Sequence, residues 1–594
     1  MRRLVSLMLG LSASLAAQDS KPVTFNRDIA PIMFRSCAMC HRPGEAAPFS
    51  LLDYSDAKKH ARQIADVTKS RVMPPWLPEP QKLKFADEMR LAQAEIDLIQ
   101  RWVTQGAIEG DAKDLPVAPK FVEGWQLGKP DLVLTAKKPL ELPPQGTDTY
   151  WNFIFPVPTT ETRWVRAIEI RPGDKRYVHH ANILVDRYGA SRRREAEPGA
   201  GFGGMEIRIE SQTFDPDSHL LFWKPGTVPA VEPDGMAMRL DAGSDLVLNT
   251  HLQPSGKPEV IAPSIGIYFA SGPATKFPML LQLEDDIKLD IPAGEKNFVL
   301  SDQFTLPVDV DLLAIYPHAH YLGKDIQAWA ALPDGTKETL IHIPQWNLNW
   351  QAVYRYASPV RLPKGATVSF RYVYDNSEQN ALNPNHPPAR VVAGNRSSDE
   401  MCHLWLQVLP VNFDPALTGK PGDPRMALQE ALARHNIEKN PADFEAHYNL
   451  AAMLQARGDV AALGEYEAAV KLKPDDAVAN NALGAALVGA GDVERGIGNL
   501  RTALKTRPEY FDARYNLGIA LATKEDFSGA VEEFQAALKL HADDANVEAN
   551  LGAALASLGK FSDAKAHLEN AVRIDPGLTV ARENLDAVKK ELGQ

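Results

Sequence analysis

At 594 residues the chain is too long for a single hydrophobic core, and its length predicts about four domains. Its hydrophobic content of 44% and charged content of 24% are those of an ordinary globular protein, and a formal charge of −12 offers no basic surface, which argues against nucleic-acid binding. Three cysteines in the whole chain exclude a disulfide framework.

The chain opens with Arg2-Arg3, an apolar run over 4–15 and the small pair Ala16-Ala17 before Gln18-Asp19-Ser20. That order predicts a signal peptide over 1–17 and a periplasmic or secreted protein. The run is too short to span a bilayer. No later stretch reaches the roughly eighteen apolar residues of a membrane helix, so no transmembrane segment is expected.

Residues 21–111 read as a small all-α domain, with Glu95, Ile96, Ile99, Trp102 and Val103 at helical spacing. Within it, Cys37-Ala38-Met39-Cys40-His41 fits the attachment motif of c-type haem, in which two thiols bond the porphyrin and the adjacent His41 ligates iron. An exported CxxC pair left bare would tend to oxidise, and a structural zinc site needs two more ligands that are not nearby. One covalent haem c is therefore expected. Met73, in Arg71-Val72-Met73-Pro74-Pro75-Trp76, is the favoured sixth ligand because two prolines stiffen its loop; Met33, Met39, Met89 and His60 are the rivals. The zone resembles a small class I cytochrome c domain.

After a Pro-rich connector at 115–119, alternating segments such as Leu246-Val247-Leu248-Asn249-Thr250-His251 and recurrent Pro/Gly/Asp turns predict all-β structure to residue 413. Its size predicts two tandem sandwiches, 121–275 and 276–413. This zone holds His179-His180, His251, Pro317-His318-Ala319-His320 and Ser398-Asp399-Glu400-Met401-Cys402. His318 and His320, two apart on a strand, share a face. Adjacent His179 and His180 face opposite ways, so joint ligation requires a bulge or a strand end. Imidazole and thioether donors suit copper; an all-His set also suits zinc.

From 425 to 594 the chain is Ala-rich and helical, and Gly484, Gly518 and Gly552 recur every 34 residues. Pro441, Pro474, Pro508 and Pro576 follow the same period, as tetratricopeptide repeats do. Such an α-solenoid is expected to bind a protein partner.

The order HH, H, HxH and DEMC resembles the copper type II, ascorbate-dependent monooxygenases, the family of peptidylglycine α-hydroxylating and dopamine β-monooxygenases. The resemblance covers about half of the chain. It implies two jelly-roll domains across an open cleft, each holding one copper ion. His179, His180 and His251 would form the electron-storing site, and His318, His320 and Met401 the oxygen-activating, catalytic one. A mononuclear copper changes by one electron, whereas C–H hydroxylation with O₂ needs two from outside, which gives the second ion its purpose. Tyr316, His403 and Trp405 stand where the peptide-amidating enzyme has its carboxylate-binding Arg, Asn and Tyr, so peptide amidation is not expected. His403 reads first as a structural histidine, with an extra ligand or a substrate contact as the alternatives. The combined reading is a haem- and copper-dependent monooxygenase of a small organic substrate. Its alternative is a haem and copper electron-transfer module docked through the repeats.

Overall fold

The computed structural model describes residues 21–146, 149–187, 189–204, 219–418, 420 and 422–594. The signal peptide expected over 1–17 lies outside the described residues. Among these residues no helix is long and apolar enough to cross a membrane.

The first zone contains α1 (Ala30–Ser36), α2 (Tyr54–Lys59), α3 (Ala61–Lys69) and α4 (Gln93–Thr104). Asp53 starts α2 by accepting the Asp56 amide at 2.9 Å, which satisfies one N–H that a helix start leaves open. α4 turns Ile96, Ile99 and Trp102 into one core with Ile64, Phe25, Ile29 and Met33. Full burial of such side chains stabilises by about 1.5–3 kcal/mol each.

The zone is not freestanding. The stretch after α3 runs as a strap along the second sandwich, where the Glu79 amide donates to the His342 carbonyl at 2.9 Å and the Ala86 amide to Arg355 at 2.8 Å. Trp76 packs edge-on against Tyr354 at 5.3 Å, and Phe85 lies 5.1 Å from Tyr356. These contacts join residues some 270 positions apart in the chain.

The first sandwich pairs two antiparallel sheets. One has the order Leu132–Thr135, Ser264–Phe269, Arg163–Arg171, Met238–Leu240; the other, Phe202–Gly203, Thr149–Pro156, Asp245–Leu252, Val178–Asp186, Phe222–Trp223. Asp245–Leu252 lies at the centre of its sheet and is buried along its whole length. Its Leu246 and Leu248 meet Val165, Ile265 and Ile267 of the facing sheet.

Residues 270–278 cross to the second sandwich. Its sheets run Met279–Glu284, His403–Pro410, Val310–His318, Tyr354–Leu362 and Phe298–Thr305, Thr367–Tyr374, Gly323–Ala331, Lys337–Ile343. Leu281, Leu312 and Leu406 from one sheet face Phe370, Tyr372 and Ile326 from the other. Cys402 is wholly buried in this core.

Ten helices follow: α5 (Pro424–Lys439), α6 (Phe444–Ala456), α7 (Ala462–Leu472), α8 (Ala477–Gly489), α9 (Val493–Thr506), α10 (Phe511–Thr523), α11 (Phe527–Leu540), α12 (Ala545–Ser557), α13 (Phe561–Ile574) and α14 (Thr579–Glu591). The periodic glycines mark close helix crossings: a Cβ on Gly518 would lie 2.5 Å from the Phe534 ring, and one on Gly552 would lie 2.6 Å from Leu568. α5 is bolted to the second sandwich, where Asp302 takes His435 at 2.9 Å and Lys439 at 2.7 Å.

Candidate metal centre

Strand Val178–Asp186 pairs with Asp245–Leu252, and its register shifts between Val178 and His180. This irregularity at His179 is the bulge that two adjacent histidines need in order to face one point. His180 lies directly opposite His251 across the strands. The Nδ1 atom of His179 is 3.2 Å from that of His180 and 3.1 Å from that of His251. The ligand atoms of all three lie within 4.8 Å of one another. Nitrogens at 2.0–2.1 Å from one ion are roughly 3–3.5 Å apart, so the set fits a metal, and an imidazole-only set suits copper or zinc. Tyr150 stacks on His251 at 4.5 Å and Phe222 on His180 at 5.7 Å, holding the rings.

The second set stands where Val310–His318 ends. His318 is the last residue of the strand and His320 lies just beyond it, with ring centroids 5.2 Å apart. Nδ1 of His318 faces Oε1 of Gln351 at 2.8 Å, and Nδ1 of His320 faces the Asp399 carbonyl at 3.1 Å. Both oxygens only accept, so each Nδ1 carries the proton and each Nε2 keeps its lone pair. Nε2 of His320 is buried with no hydrogen-bond partner, which is where a metal fits. Burial pushes His180 and His318 well below the ordinary imidazole value and His320 down to about 4. All three are neutral at pH 7, as ligation requires.

Glu400 ties Met401 to this pair. Its wholly buried carboxyl group accepts the amides of His320, Met401 (2.9 Å) and Leu322 (2.9 Å), and the Tyr374 hydroxyl donates to the Met401 carbonyl at 2.7 Å. Burial pushes the Glu400 carboxyl up to about 8, against the pull of those three donors. His403 has another task. Burial alone would lower it, yet Asp286 at 2.8 Å and Glu284 at 3.6 Å hold it above the ordinary imidazole value, an ion-paired structural histidine rather than an extra ligand.

In the first zone Cys37 to His41 form a tight turn after α1, with the His41 amide donating to the Cys37 carbonyl at 3.0 Å. Both thiols are unbonded, and burial pushes Cys37 up to about 12. Nδ1 of His41 faces the Phe49 carbonyl at 3.2 Å, which leaves Nε2 to act as a ligand. Gly226, at φ +85°, passes so near Cys40 that a Cβ there would lie 2.6 Å from its sulfur. A cavity of about 390 Å³ opens alongside, walled by Met39, Trp76, Met89, Phe222, Trp223 and Arg355 among others. The oriented imidazole and the two thiols, which are not paired with each other, are the donor groups that a covalent haem would need. Met73 is half-buried at the head of the strap. Of its rivals, Met33 is sealed in the helical core, Met39 and Met89 wall the cavity, and His60 stacks on Phe49 at 3.8 Å. His219 also reaches the cavity wall.

Sequence reading missed Gln351 and the anchoring part played by Glu400. Glu400 lies inside the DEMC motif and was within reach; nothing around Gln351 marks it.

Residues 288–413 match the family described as copper type II ascorbate-dependent monooxygenase, C-terminal domain. Residues 481–546 and 549–578 match tetratricopeptide repeat families. No curated protein matches the chain. Similar solved structures include YrrB, a TPR protein with an unusual peptide-binding site, at 19% identity and TM-score 0.25 over 27% of this chain and 82% of that one. A crystal structure of MamA is similar at 18% identity and TM-score 0.24, over 25% of this chain and 83% of that one. Residues 288–413, the stretch that contains His318, His320 and Met401, are thus similar to the C-terminal domain of copper type II ascorbate-dependent monooxygenases, and stretches similar to tetratricopeptide repeats follow.

Proposed function

We propose that the protein is an exported haem- and copper-dependent monooxygenase that hydroxylates a small organic substrate with O₂. The observation that carries this reading is the pairing of two histidine sets, one on each sandwich, with the buried Met401 tied to the second through Glu400. Bound copper would supply one-electron redox chemistry and O₂ activation at the second set. The chain's own residues do the positioning. The bulge at His179 gathers three imidazoles, Gln351 and the Asp399 carbonyl fix the tautomers of His318 and His320, and Glu400 ties the His320 loop to Met401.

Haem c on Cys37, Cys40 and His41, with Met73 as sixth ligand, would feed electrons to the His179, His180 and His251 site. The support is spatial: the cavity beside the CxxCH turn is walled by Phe222, and Phe222 stacks on His180. Residues 1–17 direct export, and the repeat tail holds a protein partner on its stacked helices.

Metal content tests the reading. Purified protein should carry two copper ions and one haem that survives acid-acetone extraction. His318→Ala or Met401→Ala should weaken or empty one copper site, stop product-coupled O₂ uptake and spare the other ion. Loss of both ions, or of neither, refutes two separate sites. Haem retained by Cys37→Ala with Cys40→Ala refutes the covalent attachment.

A further inference from the structure

One side chain spans the two histidine sets. Gln351 follows the short turn Leu348–Trp350 and leads into strand Tyr354–Leu362 of the second sandwich. It is 1% exposed. Its Oε1 accepts the Tyr316 hydroxyl at 2.8 Å and the Nδ1 proton of His318 at 2.8 Å. Its Nε2 lies 3.3 Å from Nδ1 of His180, on the other sandwich. That last distance is at the long end of the hydrogen-bond range, so the amide lies against the edge of the His180 ring and would turn aside from Nδ1 when that nitrogen holds an ion.

A buried primary amide is costly unless its polar atoms are used. Here the oxygen serves one metal set and the nitrogen touches the other. The contact does not rest on Gln351 alone. Phe222, stacked on His180, packs against Tyr316 at 5.4 Å, and the Lys224 ammonium reaches the Trp350 carbonyl at 3.5 Å. The sandwiches therefore meet at their metal sets, where the family resemblance implied an open cleft.

We propose that Gln351 is a positioning residue for both sets. It holds His318 in the tautomer that presents Nε2 to the second site, and it keeps the His180 set one side chain away across a closed contact. The proposal rests on the two-copper reading and deepens it: with the sets in contact through one amide, the Gln351 side chain would lie between the ions that they held.

The experiment uses the full chain loaded with Cu(II). Dipolar broadening in the EPR spectrum reports the separation of the ions, and the hyperfine pattern reports the ligands of the second site. Wild type should show one fixed separation. Gln351→Leu, similar in volume but without polar atoms, should keep two ions, lose that single separation and change the second-site hyperfine pattern. Gln351→Glu keeps an acceptor for His318 and Tyr316 and should restore the wild-type hyperfine pattern; it also decides the matter if Gln351→Leu fails to fold. Two bound ions with broadening and hyperfine pattern unchanged in Gln351→Leu would overturn the positioning role alone. So would a hyperfine pattern in Gln351→Glu that departs from wild type. A wild-type chain binding fewer than two ions would instead overturn the two-copper reading and, with it, this proposal.

Discussion

Glu400 offers the sharpest test of how the second metal set is built. Its carboxyl group is wholly buried and accepts three backbone amides, from His320, Leu322 and Met401, two of which belong to proposed ligands. Glu400→Ala leaves all three N–H groups buried without acceptors, at about 1–3 kcal/mol each. Water entering the vacated space recovers part of that, so the expected local cost is about 3–6 kcal/mol. Global unfolding of a chain with several domains is not two-state, so the assay is amide hydrogen exchange by mass spectrometry on peptides covering 320–322 and 401. At about 1.4 kcal/mol per tenfold, exchange there should quicken by roughly a hundredfold to ten-thousandfold. Glu400→Gln keeps one oxygen for His320 and Met401 but turns an NH₂ toward the Leu322 amide. It should lose one bond and fall between wild type and Glu400→Ala. Less than tenfold acceleration in Glu400→Ala, or a glutamine variant as damaged as the alanine one, would refute the anchoring role.

Two further outcomes concern the tail. Asp302 is held below the ordinary carboxylate range because, although burial raises it, His435 and Lys439 of α5 pull it down more strongly. A depressed carboxylate stabilises above its unfolded value and loses that contribution as pH falls through the folded one, so α5 should stay docked at neutral pH and loosen below about 4. Pepsin cleavage of the 411–424 linker should rise across that window, and Asp302→Asn should already be cut readily at neutral pH by a neutral protease. In the repeats, Gly518→Ala would place a methyl 2.5 Å from the Phe534 ring and should cost about 1–3 kcal/mol. Gly464→Ala meets nothing within 4 Å and is the control: hydrogen exchange in α10 and α11 should quicken only for Gly518→Ala.

What the sequence discloses here is what short-range patterns encode. α4 and strand Asp245–Leu252 fall on the segments whose apolar residues show period 3.6 or alternation, and the glycine period marks real helix crossings. Joint ligation by His179 and His180 calls for a bulge or a strand end, because two adjacent side chains on a regular strand diverge, and the register shift at His179 is such an irregularity. Other features depend on partners far along the chain. His403, two residues past Met401, has the look of a ligand until Asp286, 117 residues upstream, claims its ring. The strap from Trp76 to Ala86 has no periodicity of its own; its course is set by hydrogen bonds to the edge strands of both sheets of the second sandwich. Gln351 carries no motif because its importance comes from lying between Tyr316, His318 and His180, which three separate stretches of chain deliver.

The same short segment, 350–356, is where three zones of the protein meet. Gln351 reaches the first metal set, the Trp350 carbonyl takes Lys224 of the first sandwich, and Tyr354 to Tyr356 receive the strap that continues from Met73-Pro74-Pro75-Trp76. A donor on a flexible linker gains only effective concentration, and it samples many positions. Here the strap is hydrogen-bonded to the sandwich at both ends, through Glu79 with His342 and Ala86 with Arg355, so the first zone is held in register with the metal sets. If the first zone supplies electrons as proposed, this fixed geometry would make the supply insensitive both to protein concentration and to linker length. Under the proposed haem reading, the fusion of this zone to the copper domains therefore builds one redox unit, whose weak point is the 350–356 segment rather than the Pro-rich connector at 115–119.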